Sequence, residues 1–217
     1  MECDKEITFQ GDLIWIVSAA TLYQRYPHIS SELEHMMKIG FGADEYPGEK
    51  NDVSFDLKDM SLTEDEHITL VLYAPNCISS EHIAPISCFL TLHYVPHEHS
   101  VTMWNLCSID RGKGYAGRLV DIATKWTNSV HHVPLRLKVY VYNTLFHQVV
   151  SFYLRRGFGL EHIERKGEVV CMIQDTPSSY EHIIHQCWQK VLTQSSSPER
   201  IWLTRRLMSL MPIRKNN

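Results

Sequence analysis

The chain has 217 residues, of which 44% are apolar, 21% charged and 10% aromatic, and its formal net charge is −4. That length can bury a real hydrophobic core in one domain, with or without an appendage. Ten glycines and nine prolines are too few for a collagen-like or disordered chain. The longest near-apolar stretch, residues 13–23, is about half of the roughly 20 residues that a membrane-spanning helix needs.

The cysteines and the first residues indicate the compartment. Residues 1–6 are acidic, whereas a secretory signal peptide begins with positive charge. The six cysteines are widely spaced and include no CxxC pair, which argues against a disulfide framework and a thiolate zinc site. We therefore expect a soluble cytoplasmic protein.

Positive charge is concentrated near the C-terminus. Residues 198–217 contain five basic residues and one acidic residue, Glu199, so residues 1–197 have a negative net charge. A basic tail can contact nucleic acid, anionic lipid or an acidic partner. Because the rest of the chain is acidic, we expect a solvated tail and no specific nucleic-acid partner.

The first third of the chain alternates between structure and loop. Residues 7–15 indicate a short strand or the start of a helix, and residues 13–26 fit either structure until Pro27 ends the segment. Ser31 and Glu34 form a capping-box pattern and Gly40 is a stop signal, which predicts a short helix over 32–39. Residues 40–66 are polar and rich in turn residues, with one extended patch at 53–57.

The middle of the chain is rich in strands. Runs of apolar and β-branched residues predict antiparallel strands at 68–73, 83–94 and 101–108. An amphipathic helix follows at 116–126, then a strand at 135–141, a second helix at 146–153 and a strand at 169–173. Helical segments at 178–194 and 199–211 complete the chain, and 195–198 breaks between them.

The segment 111–117 lies between a predicted strand and a predicted helix. Its glycines permit positive φ angles, so that several backbone N–H groups can point outward at the start of the helix. A helix N-terminus is partly positive, and Arg111 and Lys113 add charge, so the segment is typical of a phosphate or pyrophosphate site. A plain glycine-rich turn is the alternative.

A dinucleotide-binding interpretation of the same segment fails on its surroundings. Gly112, Gly114 and Gly117 match the spacing of that motif, which requires an acidic residue roughly 20 positions later to bind the ribose. No Asp or Glu occurs between Asp121 and Glu161. A nucleoside-triphosphatase loop is also excluded, since no Gly-x4-Gly-Lys-Ser/Thr is present.

Two ordered motifs resemble those of the GNAT superfamily of acyl-CoA N-acyltransferases. Arg111-x-x-Gly114-x-Ala116 is similar to its pyrophosphate-binding signature, and Tyr153 followed by Gly157-Phe158 is similar to its second motif. The resemblance is strongest over residues 68–175, extends over 7–67 and does not reach 178–217.

The resemblance implies a fold and a cosubstrate. The fold would be α+β, with a mixed, mostly antiparallel sheet splayed after its fourth strand, here 101–108, and flanked by helices. The acyltransferase domain would span 1–176, and 177–217 would be a helical, basic extension. Acetyl-CoA would be held by backbone groups of Leu106, Cys107 and Ser108, by the loop residues and by a residue before the second helix. The remaining members of this predicted set are Arg111, Gly112, Lys113, Gly114, Tyr115, Ala116, Gly117 and Asn143.

The catalytic groups follow from the same resemblance. Tyr153 would protonate the departing thiolate; without the resemblance, a core aromatic would be the simpler interpretation. A base that takes a proton from the amine would come from the turn after the second strand, where His93, His97, Glu98 and His99 are candidates. We predict Glu98 and His99 for this role, against a purely polar turn. The three histidines could in principle bind zinc, but we expect no metal.

The implied activity is acetyl transfer from acetyl-CoA to a primary amine, by direct attack in a ternary complex. The amine could belong to a small molecule, a lysine side chain or a protein N-terminus. A catalytically degenerate CoA-binding or protein-interaction module with the same fold is the alternative. The C-terminal helices could pack onto the domain, dock on a membrane surface or form a homodimer contact.

Overall fold

The computed structural model describes residues 5–9, 12–41, 67–77, 85–194 and 197–211. The chain divides into two compact units, Met1–Leu135 and Arg136–Asn217. The extended patch predicted at 53–57 lies outside the described residues.

The first unit is built on five antiparallel strands in the order β1-β2-β3-β4-β5. Their bounds are β1 Lys5–Phe9, β2 Asp12–Ser18, β3 His67–Ala74, β4 Cys88–Val95 and β5 Ser100–Ser108. The antiparallel arrangement predicted for the middle strands is confirmed. Within the described residues, however, the second of them begins at Cys88, not at 83.

Among the described residues, three helices cover this sheet: α1 Ala19–Arg25, α2 Pro27–Phe41 and α3 Tyr115–Val130. The short helix predicted over 32–39 is wrong in its bounds, because Pro27 opens α2. The fixed φ of proline suits the first position of a helix, where its missing N–H is not needed. Helix α1 is capped by Ser18, whose hydroxyl accepts a hydrogen bond from the N–H of Thr21 at 3.0 Å.

The core of the first unit lies between the sheet and its helices. Leu22 of α1 and Leu33 and Met36 of α2 are buried with Leu70 and Phe89 of the sheet in one apolar cluster. Helix α3 packs on β3, β4 and β5 and buries a second apolar stripe. This stripe consists of Leu119, Val120, Ala123 and Trp126.

The second unit holds three antiparallel strands in the order β6-β8-β7. Strand β6 (Leu135–Tyr140) begins at the last residue of the first unit, and β7 is Phe158–Glu164 and β8 Val169–Gln174. Strand β7 was not predicted from the sequence. Its Gly159 is required by close packing, since a Cβ there would lie 1.8 Å from the carbonyl oxygen of Thr176.

The helices of the second unit are α4 Phe146–Leu154, α5 Tyr180–Gln194 and α6 Ser197–Leu210. Helix α6 is tied to its own unit, because the guanidinium of Arg206 donates to the backbone carbonyl of Val141 at 3.0 Å. The hydroxyl of Tyr180 donates to the carbonyl of Leu210 at 3.2 Å, and Leu203 and Leu207 are buried. The C-terminal helices therefore share a compact unit with α4.

The fold class is α+β, as the sequence predicted, with antiparallel strands flanked by helices in each unit. No helix among the described residues has the length and apolar character needed to cross a membrane.

Candidate active site

The loop between β5 and α3 presents backbone N–H groups at the start of a helix. Gly112 and Gly114 have φ angles of 79° and 81°, in the left-handed region that glycine tolerates best. Gly114 is the N-cap of α3, and no side chain in the described part of the chain caps this end of the helix. The first N–H groups of a helix have no partner within the helix, so a ligand can bind them.

The surroundings of this loop are open and favour an anion. A Cβ built at Gly112 or Gly114 would meet no atom of the described residues within 4 Å. Arg111 and Lys113 are exposed, and the first turn of α3 contains no acidic residue. The partial positive charge of the helix end is therefore reinforced, as a phosphate site requires.

The start of α3 is anchored to the sheet by aromatic and charged side chains. The ring of Tyr115 stacks on that of Tyr73 with centroids 4.3 Å apart. Tyr73 donates a hydrogen bond to the carboxylate of Asp12, and the guanidinium of Arg118 lies 3.6 Å from the same carboxylate. These contacts anchor the first turn of α3 to strands β2 and β3.

The end of β5 supplies the strand residues predicted to contact a cofactor. Leu106, Cys107 and Ser108 pair with Leu90, Phe89 and Cys88 of β4. The thiol of Cys107 donates to the carbonyl of Met36 at 3.0 Å, and burial raises its pKa to about 11. The side chain of Cys107 is thus committed to the core, and only its backbone is suited to the predicted role.

A β-bulge in β5 was not found by sequence reasoning. Thr91 pairs with Asn105 and Leu92 with Met103, so Trp104 is an extra residue on β5. The Trp104 side chain is 48% exposed, and its ring lies 4.0 Å from the ring of the nearly buried His93. Bulges redirect side chains near functional sites. The one signal in the sequence was Trp104, a large aromatic residue that breaks the alternation of apolar and polar residues along β5.

The bulge also gathers polar groups. The hydroxyl of Thr91, which is fully buried, accepts hydrogen bonds at 3.2 Å from both the backbone N–H and the side-chain amide of Asn105. A polar strip comprising Thr91, Asn105, His93 and Trp104 therefore follows the middle of the β4–β5 hairpin.

The residues predicted as the base lie at the turn of this hairpin. Glu98 ends a short 3-10 turn and His99 has a left-handed φ of 47°. The side chains of His97 and Glu98 are 72% and 61% exposed, and they face each other at 3.8 Å. Four residues at about 3.3 Å each place His99 roughly 13 Å along the chain from Met103 at the bulge. Of the four candidates, only His93 lies beside the bulge.

In the second unit, Tyr153 lies on α4 and is 7% exposed. Its ring makes edge contacts with Phe152 at 5.0 Å and Phe158 at 5.7 Å between centroids. Asn143 lies in the turn before α4, where its side-chain oxygen accepts a hydrogen bond from the N–H of Leu145 at 2.8 Å. The oxygen of the Asn143 carboxamide is therefore hydrogen-bonded within the turn.

Solved structures share this architecture. A protein assigned to the GNAT family of acetyltransferases from Desulfovibrio desulfuricans is 10% identical, with a TM-score of 0.52 over 74% of this chain and 96% of that chain. An acyl-CoA N-acyltransferase from Pseudomonas aeruginosa is 15% identical, with a TM-score of 0.50 over 75% and 99%. The chain has the fold of the GNAT superfamily.

The GNAT fold is shared without close sequence similarity. No family model matches the sequence. No curated protein matches it. The match to nourseothricin acetyltransferase is partial: at 18% identity and a TM-score of 0.40, it spans 65% of that chain and 51% of this one. The GNAT resemblance carried by Arg111, Gly114, Ala116 and Tyr153 is thus confirmed for the fold, and the roles of these residues stay predictions.

Proposed function

We propose that the protein is an N-acetyltransferase that moves the acetyl group of acetyl-CoA to a primary amine in a ternary complex. One observation carries this proposal: a loop with Gly112 and Gly114 leads from β5 into the N-terminus of α3, which no side chain among the described residues caps. In the GNAT fold, this is where a coenzyme A diphosphate is expected to bind.

The cosubstrate would be held mostly by the backbone. The amides of residues 112–117 would bind the diphosphate, with Arg111 and Lys113 supplying countercharge. Backbone groups of residues 106–108 would pair with the pantetheine arm as an added strand does. Asn143 remains a proposed contact through the amide nitrogen of its side chain, because its oxygen serves the local turn.

The chemistry requires three groups. The amine nitrogen attacks the thioester carbonyl, the C–N bond forms, and the C–S bond breaks as the thiolate leaves. Tyr153 would give its phenolic proton to that thiolate, and a backbone N–H near Leu106 would bind the oxyanion of the intermediate. A base must take a proton from the amine.

For the base, the geometry supports His93 as an addition to the predicted pair Glu98 and His99. His93 lies beside the bulge and in contact with Trp104, whereas the turn at 96–99 is exposed to solvent. Trp104 and His93 would then form one wall of the acceptor site, where the face of the indole suits a cationic amine.

A CoA-binding module without catalysis is the second candidate. Two observations favour it. The side-chain oxygen of Asn143 is already hydrogen-bonded in the turn before α4. The two residues predicted as the general base, Glu98 and His99, lie in an exposed turn. This candidate keeps the loop and the fold and discards the roles of Tyr153 and His93.

One experiment separates the two candidates. CoA affinity is measured by calorimetry, and release of free thiol from acetyl-CoA is measured with a panel of amines. Tyr153→Phe is compared with Tyr180→Phe, since the two tyrosines are 7% and 8% exposed in the same unit. We expect Tyr153→Phe to lower kcat with CoA affinity unchanged, and Tyr180→Phe to keep turnover. CoA binding without any turnover would support the module, and no CoA binding would overturn both.

A further inference from the structure

The strands of the second unit carry a cluster of three potential metal ligands on one face. Cys171 of β8 pairs in register with His162 of β7 and with Lys138 of β6. Glu164 lies two residues beyond His162, so its side chain points to the same face as that of His162. Within the described residues, His162, Glu164 and Cys171 form the one group of this kind.

The ligand atoms are close enough to share one ion. Nε2 of His162 lies 3.1 Å from Oε1 of Glu164, and the ligand atoms of all three residues lie within 4.8 Å of one another. Zinc bonds of about 2.0–2.3 Å in a tetrahedron separate the donors by roughly 3.3–3.6 Å. Small side-chain rotations would therefore close the site.

A second feature points independently to a ligating histidine. Nδ1 of His162 faces Oε2 of Glu161 at 3.8 Å, and the other carboxylate oxygen of Glu161 accepts from Nε of Arg136 at 2.8 Å. The register of β7 shifts between Leu160 and His162, and this bulge brings Glu161 beside the imidazole. A metal-binding histidine usually donates a hydrogen bond from its other ring nitrogen to a carboxylate. Glu161 is the carboxylate placed for that role, and at 3.8 Å its oxygen lies beyond hydrogen-bond distance.

We propose that His162, Glu164 and Cys171 bind one Zn²⁺ ion and leave a fourth position open to solvent. This donor set, one thiolate with one imidazole and one carboxylate, suits zinc and not magnesium or calcium, which prefer oxygen ligands. When the ion binds, a Zn–S bond replaces the S–H bond of Cys171 and the proton leaves to solvent. The thiolate and the carboxylate then balance the charge of the ion.

The burial of the three residues is consistent with this assignment. Cys171 is 3% exposed, while His162 and Glu164 are partly exposed, so the site runs from the interior to the surface.

Lys138 competes with the ion for Glu164. Its Nζ lies 2.9 Å and 3.1 Å from the two carboxylate oxygens. If the cluster were only a surface ion-pair network, Lys138→Met would weaken that network and should not raise zinc affinity. If the cluster binds zinc, Lys138→Met removes a nearby positive charge and a competitor, so zinc affinity should rise. The direction of the change in zinc affinity therefore separates the two interpretations.

The test is calorimetric titration of the metal-stripped full-length protein with Zn²⁺, supported by the thiolate charge-transfer band of bound Co²⁺. We expect one ion per chain in the wild type. His162→Ala and Glu164→Gln should abolish that binding, and Glu161→Gln should weaken it about 10- to 100-fold. The matched control is His182→Ala, an exposed histidine on α5. His162 is half-exposed, so its variant should fold.

Three results would overturn the proposal: a wild-type protein that takes up no Zn²⁺, equal binding by the His162→Ala and His182→Ala variants, or weaker binding by Lys138→Met than by the wild type. None of these readouts involves acyl transfer, so the proposal stands or falls independently of the proposed function.

Discussion

The phenol of Tyr73 on β3 donates a hydrogen bond to the carboxylate of Asp12 on the neighbouring strand β2. The carboxylate also accepts from the N–H of Asn76 at 3.2 Å and lies beside the guanidinium of Arg118. Since the Tyr115 ring stacks on the Tyr73 ring, the hydrogen-bonded Tyr73–Asp12 pair packs against the first turn of α3. The candidate phosphate loop is thus positioned by side chains outside the loop.

Tyr73→Phe should destabilise the protein by about 2 kcal/mol, because a hydrogen bond to a charged group is typically worth about 1.5–3 kcal/mol. Unfolding in urea measures the change. The control is Tyr180→Phe, whose hydroxyl donates to a neutral backbone carbonyl, so that about 1 kcal/mol is expected. An equal or smaller loss for Tyr73→Phe would show that the Asp12 contact contributes no more than a neutral one.

The same pair predicts an alkaline dependence. Burial, followed by the hydrogen bond to Asp12, raises the pKa of Tyr73 above its usual value. The unfolded chain then releases this proton near pH 10 while the folded chain keeps it, so stability is lost as pH rises above about 10. Between pH 9 and 11, the stability of the wild type should fall more steeply than that of Tyr73→Phe. Parallel curves would contradict the prediction.

The loop glycines allow a matched test of the phosphate site. Gly114 and Gly157 have φ angles of 81° and 82°, and a Cβ at either position would meet no described atom within 4 Å. Alanine at either position should therefore cost a similar amount, about 1–2 kcal/mol of backbone strain. Only Gly114→Ala should also weaken CoA binding, by about tenfold, or about 1.4 kcal/mol. Equal CoA affinities for the two variants would place the diphosphate elsewhere.

Trp104 should affect the acceptor and not the cofactor. Trp104→Ala removes the exposed indole face beside His93, so kcat/KM for the amine should fall by about tenfold, the scale of a cation–π contact of roughly 1–2 kcal/mol. CoA affinity should be unchanged, and Trp104→Phe should retain most activity because it keeps an aromatic face. The control is Trp202→Ala on α6. A loss of CoA affinity in Trp104→Ala would argue for a structural role of the bulge.

Part of the fold could be predicted from local sequence signals. Strand β3 has a nearly continuous apolar run, and helix α3 has a clear amphipathic stripe. The segment 111–117 was therefore correctly placed at the junction of a strand and a helix. The loop's backbone geometry follows from Gly112 and Gly114 themselves. These features depend on neighbouring residues, which a sequence shows directly.

The rest depends on relationships across strands. The bulge at Trp104 is set by its pairing with β4, and the bulge at Glu161 interrupts the alternation that would have revealed β7. The turn after β4 determines how far Glu98 and His99 lie from the bulge. Their residue types alone therefore could not show whether they are close enough to act as the general base. Pro27 was interpreted as a stop, although a proline also suits the first turn of a helix.

The ion pair between Lys138 and Glu164 predicts an acid-side loss of stability in metal-free buffer. Hydrogen bonding from Lys138 lowers the pKa of Glu164 from its usual 4.5 to about 2. The unfolded chain therefore takes up a proton before the folded chain does, and the stabilisation is present above about pH 4.5 and lost as pH falls toward 2.

Because the ion pair between Lys138 and Glu164 is partly exposed, we expect Glu164→Gln to cost about 1 kcal/mol at neutral pH. The gap between wild type and variant should close as pH falls from about 5 to 2 in urea unfolding with a chelator present. A double-mutant cycle with Lys138→Met assigns the loss to the pair, and a gap that is constant with pH would assign it to other contacts of Glu164.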